Sequence, residues 1–177
     1  MTAGGRGTRL RQLGIEKPLV EVMGVPIICR VLEALHRSTG VRKVYVSVSE
    51  NTPKTARLVS DLGYGVIHTS GDEYVSDLRA SMDVPSSDAV LVCPADLPLL
   101  TSEAVDELVS RYEQVGRSSL AVAIPLDCIQ SLGLGCTFEL EIEGKGVVPC
   151  GVSIVNRVKM LSGIYLDEAY HVSRRTD

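Results

Sequence analysis

A glycine-rich segment with basic residues opens the chain as GGRGTR (4–9), and Lys17 follows shortly after it. Backbone N–H groups in such a turn bind anions, and arginine matches phosphate oxygens with two hydrogen bonds. The segment is not a dinucleotide fingerprint, because Leu10 stands where the third glycine belongs, and it does not end as a Walker A motif. The predicted phosphate ligands are Gly4, Gly5, Gly7, Thr8, Arg9 and Lys17. The alternative is a flexible glycine-rich segment with surface cations.

A second candidate is Asp96, in the sequence CPADLP (93–98), just after a strongly apolar strand. A carboxylate at that place can hold Mg²⁺ against a triphosphate. The alternative is an aspartate that caps a turn, since aspartate is common in loops.

Together, cationic groups and a metal-holding carboxylate are what transfer at a phosphorus atom requires, because the protein mainly positions and neutralises charge in that reaction. Other chemistry is weakly indicated. The three histidines, His36, His68 and His171, have no metal-ligand spacing, and there is no G-x-S-x-G nucleophile motif.

The elements that must position these residues alternate between strand and helix. Strands are predicted at 17–22, 43–49, 64–70, 88–94, 119–125 and 147–156, with half of a hairpin at 136–144. Helices are predicted from Ile27 to Gly40, over 52–62 and 73–82, and from an N-cap at Thr101 or Ser102. This order predicts one α/β domain with a mostly parallel sheet and helices on both faces, and a ligand site at the carboxyl ends of the strands.

The composition narrows the class of protein. The 177 residues are 45% hydrophobic and 23% charged, with a formal charge of −4, which fits a soluble domain and argues against a nucleic-acid partner. No apolar run is long enough to span a membrane, and no signal peptide is evident. The five cysteines form no C-x-x-C pair, so we expect reduced thiols in a cytoplasmic protein.

Several segments carry a family resemblance. GGRGTRL, EKPL and PADLPLL resemble the signature of nucleotidyltransferases with a Rossmann-like, three-layer fold, a superfamily that includes sugar-phosphate nucleotidylyltransferases and molybdenum-cofactor guanylyltransferases. The segments SENTPKT (49–55), HTSGDEYVSDL (68–78), AVAIP (121–125) and GVVPCGVSIVN (146–156) resemble the archaeal GTP:adenosylcobinamide-phosphate guanylyltransferases more specifically. The resemblance covers nearly the whole chain.

The resemblance implies guanylyl transfer from GTP to a corrinoid phosphate in cobalamin biosynthesis. It implies catalytic roles for Arg9, Lys17 and Asp96, with Asp96 also binding Mg²⁺. The residues expected around the guanine base are Ser49, Asn51, Thr52, Ser70 and Gly71. A homodimer is a further expectation.

The sequence also departs from the family pattern. The family has an apolar first strand directly before the glycine loop and a further helix at the other end, so we expect the domain 1–177 to be short at both ends and its first strand to be missing. A glycine is usual where this chain has Glu73. Two alternatives remain: a related transferase that acts on a molybdopterin or sugar phosphate, and a truncated, inactive nucleotide-binding domain.

Overall fold

The computed structural model describes residues 1–7, 14–136 and 138–173. The strands in these ranges are β1 Glu21–Val22, β2 Val25–Pro26, β3 Tyr45–Val48, β4 Gly65–His68, β5 Ala89–Val92, β6 Ser119–Pro125, β7 Leu140–Ile142, β8 Lys145–Asn156 and β9 Glu168–Val172. The helices are α1 Ile27–Arg37, α2 Pro53–Asp61, α3 Tyr74–Ser81, α4 Ser102–Val115, α5 Leu126–Ser131 and α6 Arg157–Leu161, and a 3₁₀ turn spans Lys17–Leu19.

The strands form three sheets. A hairpin joins β1 and β2, and β3 pairs in parallel with β4. In the larger sheet the order is β5-β8-β6-β9, with β7 also paired to β8. The α/β fold is confirmed, and the sheet is mixed, because β8 runs antiparallel to β5, β6 and β7 while β9 runs parallel to β6.

Residues 1–3 join the β3–β4 sheet to the larger one. On one side the Ala3 amide donates to the Ser47 carbonyl at 2.8 Å, and on the other the Thr2 amide donates to the Cys93 carbonyl at 2.8 Å. Both bridges of Thr2, to Ser47 and to Pro94, are parallel. We expected the first strand of the domain to be missing. Residues 1–3 therefore occupy the carboxyl end of the place where that strand was expected.

A groove of about 460 Å³ lies between the amino-terminal halves of β3 and β5, in line with residues 1–3 and on the side of residue 1. Its lining is largely apolar and includes Leu35, Val44, Ile67, Met82 and Leu91. The facing edges of β3 and β5 share no ladder along this groove.

Helix α1 packs on both sheets. Its apolar residues recur at helical spacing, so Val31 and Leu35 pack with Leu108 of α4, while Ile28 and Leu32 pack against β3 and Val59 of α2. Burying apolar surface on both sides lets α1 hold the two sheets at a fixed distance from each other.

Most predicted elements are found within two residues of their predicted ends, but the strand predicted at 17–22 is wrong. Pro18 removes an amide donor and favours a tight turn, so Lys17–Leu19 is a 3₁₀ turn and only Glu21–Val22 is extended. Strand β9 lies in a region where the sequence pattern is weak. Helices α5 and α6 were also missed, because five or six residues are too few to show a helical period.

All five cysteines are free thiols. Burial raises the pKa of the Cys93 thiol to about 12, which keeps it protonated and unreactive. In the part of the chain that the structure describes, none of the helices has the length and apolar character needed to cross a membrane.

Candidate active site

A cavity of about 780 Å³ opens at the carboxyl ends of β3 and β4, next to the end of β5. This volume lies in the range usual for small-molecule sites. Five parts of the chain line the cavity: residues 2–7, the turn at Lys17–Pro18, Ser47 of β3, the loop from Thr69 into α3, and Ala95–Asp96. Of the predicted site residues, Gly4, Gly5, Gly7, Lys17, Gly71 and Asp96 line the cavity, whereas Ser49, Asn51, Thr52 and Ser70 do not.

The glycine loop is held against the loop that follows β3. The Ser49 hydroxyl donates to the Gly4 carbonyl at 2.6 Å. A Cβ atom at Gly4 would lie 3.2 Å from the Ser49 backbone nitrogen, so a larger residue would fit only if the backbone moved slightly. Gly5 and Gly7 line the cavity beside it, whereas Thr8 and Arg9 lie outside the described residues.

Lys17 and Asp96 meet in this cavity. The Lys17 ammonium contacts the Asp96 carboxylate, with both side chains still partly exposed. The 3₁₀ turn presents Lys17, and the segment after β5 presents Asp96, held in place because the Ala95 amide donates to the Thr2 carbonyl at 3.0 Å. A cation and an anion thus lie side by side next to the glycine loop.

Asp77 on α3 holds the loop after β4. Its carboxylate accepts from the Ser70 amide at 3.0 Å, the Ser70 hydroxyl at 2.9 Å and the Gly71 amide at 2.9 Å. Gly71 has a φ of +77°, and a Cβ atom there would lie 2.5 Å from the Ser49 hydroxyl oxygen. The two loops expected to lie around a base therefore touch each other at Gly71.

The other residues predicted around the base shape the loop after β3. Ser49 and Thr52 are buried. The Asn51 amide and side-chain nitrogen both donate to the Ser49 hydroxyl at 3.1 Å, and the Ser49 amide donates to the Thr52 hydroxyl at 3.2 Å. Gly71 lines the cavity itself.

Several cavity residues were not among the predicted site residues. Arg6 forms an ion pair of 3.0 Å with Asp72 across the cavity. Glu73 is the N-cap of α3: its carboxylate accepts from the Ser76 amide at 2.9 Å, and it also accepts from the Ser76 hydroxyl. Arg6 lies inside the glycine motif, so the sequence could have identified it as a site residue. The contacts of Asp77 could not be predicted, because they depend on how α3 packs against the loop after β4.

The donor set limits how a metal could be held. Among residues 1–7, 14–136 and 138–173, no group of three or more His, Cys, Asp or Glu side chains could hold a metal ion. Mg²⁺ commonly binds through one or two carboxylates together with substrate phosphates and water. Asp96, facing the cavity beside the glycine loop, fits this kind of site.

The arrangement suits transfer at phosphorus. Backbone groups of the glycine loop, the Lys17 cation and the Asp96 carboxylate surround one space, and such preorganised charges stabilise a transferring phosphoryl group. Residues 2–134 match the MobA-like NTP transferase domain. The chain belongs to this family and is a nucleotidyltransferase.

Two of the similar proteins are guanylyltransferases. The adenosylcobinamide-phosphate guanylyltransferase of Methanocaldococcus jannaschii is 30% identical over 164 residues, which are 87% of this chain and 78% of that protein. A molybdenum cofactor guanylyltransferase of Shewanella woodyi is 29% identical over 124 residues, which are 68% of this chain and 59% of that protein.

Solved structures share the fold. A CMP:2-keto-3-deoxy-manno-octonic acid synthetase complexed with CTP superposes with a TM-score of 0.68 at 14% identity, covering 98% of this chain and 88% of that one. HddC from Yersinia pseudotuberculosis gives a TM-score of 0.71 at 16% identity, covering 97% and 88%. These likenesses show that the chain shares the α/β fold of both structures.

Proposed function

We propose that this nucleotidyltransferase transfers GMP from GTP to adenosylcobinamide phosphate and releases pyrophosphate. The observation that carries the reaction type is the Lys17–Asp96 pair beside the glycine loop. The similarity to the M. jannaschii guanylyltransferase, over most of both chains, supports the choice of nucleotide and acceptor.

In the proposed reaction a phosphate oxygen of the acceptor attacks the α-phosphorus of GTP. A new P–O bond forms as the bond between the α-phosphorus and the bridging oxygen breaks, and that oxygen leaves with the electron pair on pyrophosphate. Little covalent chemistry is required of the protein, so positioning and charge neutralisation account for the rate enhancement.

Each site residue has a proposed part in this step. The backbone of Gly4, Gly5 and Gly7 holds the triphosphate, and Lys17 neutralises charge at the α-phosphate. Thr8 and Arg9 remain predicted phosphate ligands. Asp96 would hold Mg²⁺, which when bound supplies additional positive charge to the phosphates.

The loop after β4 is proposed to lie against guanine. Guanine offers N1–H and an amine as donors and O6 as an acceptor, and a site built for these groups rejects bases that lack them. Ser70 and Gly71 belong to a loop that Asp77 holds rigid. Ser49, Asn51 and Thr52 are proposed to set the shape of the facing wall.

The test is pyrophosphate release from GTP with adenosylcobinamide phosphate as acceptor. We expect turnover with GTP to exceed that with CTP or UTP. If pyrophosphate is released only with a molybdopterin or sugar-phosphate acceptor, the protein catalyses that related reaction instead. Failure to bind any nucleotide in calorimetry would instead support an inactive domain.

The metal role of Asp96 is tested by Asp96→Asn. Because the amide carries no charge, the Mg²⁺ concentration that gives half-maximal activity should rise at least about tenfold. Asp106→Asn, outside the cavity, is the control and should keep the Mg²⁺ dependence of the wild type. An unchanged Mg²⁺ dependence in Asp96→Asn would remove Asp96 from the metal site.

A further inference from the structure

Glu16 caps a helix that belongs to a different segment of the chain. Its carboxylate accepts from the Lys54 amide at 2.8 Å, the Thr55 amide at 2.7 Å and the Thr55 hydroxyl at 2.6 Å. These amides are at the start of α2, and the N-cap residue Thr52 makes no side-chain capping bond. Glu16 therefore supplies the cap and places a negative charge at the positive end of the helix dipole.

Glu16 also begins the turn that presents Lys17. Its backbone carbonyl accepts from the Leu19 amide at 2.9 Å, which closes the 3₁₀ turn, and the next residue after Lys17, Pro18, is buried. The Lys17 side chain is 51% exposed, and its ammonium contacts Asp96. The place where this turn is held decides whether the ammonium can reach that carboxylate.

Helix α2 is itself tied to the glycine loop. The segment immediately before it, Ser49–Thr52, contacts Gly4 through the Ser49 hydroxyl. The Glu16 carboxylate consequently joins the lysine-bearing turn to the same support that carries the glycine loop. Glu16 thereby provides three hydrogen bonds between the turn and this support.

We propose that Glu16 is a positioning residue for the transfer reaction: by capping α2 it fixes the Lys17 ammonium beside Asp96 and the glycine loop. This inference rests on the proposed function for its kinetic consequence but not for its structural one. A small misplacement of a catalytic group can lower a rate by about 10²-fold, so the cap should matter more to turnover than to binding.

The simpler reading is that Glu16 stabilises α2 and nothing more. Asp106 on α4 offers a matched control, because its carboxylate likewise accepts three hydrogen bonds, from the Ser38 hydroxyl at 2.6 Å, the Gly40 amide at 3.0 Å and the Thr39 hydroxyl at 3.2 Å. These bonds tie α4 to the end of α1, away from the cavity. Loss of this carboxylate removes similar bonds without affecting Lys17.

The first experiment measures the placement of Lys17 without any substrate. The full chain is treated briefly with acetic anhydride, and acetylation of Lys17 relative to the exposed Lys145 is read by peptide mass spectrometry. We expect Glu16→Gln to raise this ratio several-fold and Asp106→Asn to leave it unchanged. An unchanged ratio in folded Glu16→Gln, or an equal rise in Asp106→Asn, would overturn the proposal.

The second experiment compares kinetics after urea unfolding has shown that the variants are folded. Glu16→Gln should lower kcat at least about tenfold while the Kd for GTP changes less than about threefold. Asp106→Asn should lose stability with kcat retained. If both variants lose kcat alike, the role of Glu16 is structural.

Two safeguards keep these outcomes distinct. If Glu16→Gln does not fold, Thr55→Val is used instead, since it removes one of the three bonds at a buried position with little change of shape. This variant should raise the acetylation ratio and lower kcat, as expected for Glu16→Gln. No change in either quantity would overturn the proposal. If no acceptor supports turnover, the proposed function fails, whereas the acetylation ratio still reports on Glu16.

Discussion

Lys17 and Asp96 come from segments far apart in the sequence, and their contact determines what each can do. The contact places a positive and a negative charge side by side at one edge of the cavity, next to the glycine loop. The ammonium in turn orients the Asp96 carboxylate. The pair is therefore a preorganised site rather than two independent surface charges.

Lys17→Ala should lower kcat by about 10²-fold or more, because the cation acts where charge builds in the transition state. The Kd for GTP should change much less. The control is Lys43→Ala, whose ammonium lies over the Tyr45 ring and outside this cavity. Equal losses of kcat and affinity in steady-state kinetics and calorimetry would contradict the transition-state role.

Gly71→Ala tests the contact between the two loops. An alanine at φ +77° costs about 1–2 kcal/mol in strain, and its Cβ would also collide with the Ser49 hydroxyl. Gly63→Ala is the matched control, since Gly63 has a φ of +80° and open space around it. Urea unfolding should show a loss in both variants, but only Gly71→Ala should weaken GTP binding. If both variants bind GTP with the same affinity, the contact between the two loops does not contribute to GTP binding.

At the scale of elements, the cap of α3 shows what the Glu73 carboxylate contributes to the helix that borders the cavity. The hydrogen bond from the Ser76 hydroxyl, followed by those from the Ser76 and Val75 amides, lowers the pKa of Glu73. The charge is thus directed at the helix N-terminus. The Glu73 carboxylate can therefore lie beside the cavity, because it stabilises the first turn of α3.

The Glu73 cap predicts a pH dependence of stability. Because the pKa is lowered in the folded protein, its stabilisation is complete above the ordinary value of 4.5 and is lost as pH falls through the folded pKa. The difference in unfolding free energy between wild type and Glu73→Gln should therefore be present at pH 7 and shrink below pH 4.5. A difference that is independent of pH in urea titrations would contradict this role.

The sequence was sufficient to predict elements whose apolar pattern is strong. Strand β6 at Ser119–Pro125 and helix α2 lie where the pattern placed them, because each buries a continuous face. The order of strands could not be predicted, since inserting β8 between β5 and β6 depends on tertiary pairing. The contact of Glu16 with α2 was likewise invisible, because no local pattern connects residues that distant.

At the scale of the whole molecule, the two sheets are connected by main-chain bonds of residues 1–3. The Ser47 amide donates to the Met1 carbonyl at 2.9 Å, and the Ala95 amide donates to the Thr2 carbonyl at 3.0 Å. Because the glycine loop continues directly from this segment, the geometry of the site depends on the same bonds. The predicted homodimer remains a prediction.

Thr2→Pro should separate the sheets locally. Proline removes the amide that donates to Cys93, and leaving that buried carbonyl unpaired costs about 1–3 kcal/mol. Hydrogen exchange should show faster exchange at the amides of both Ser47 and Ala95, together with a lower unfolding free energy. Thr2→Ala keeps the amide and is the control. Protection retained at both amides in Thr2→Pro would show that the sheets are joined in another way.

The position of residues 1–3 also has a consequence for synthesis on the ribosome. Their partners are in β3 and in Cys93–Ala95, so this segment cannot be fully paired until the chain has been made past Ala95. The glycine loop is therefore translated before the residues that support it. Until then the nascent chain cannot hold a nucleotide between its loops, and the site is assembled only when the central part of the sheet closes.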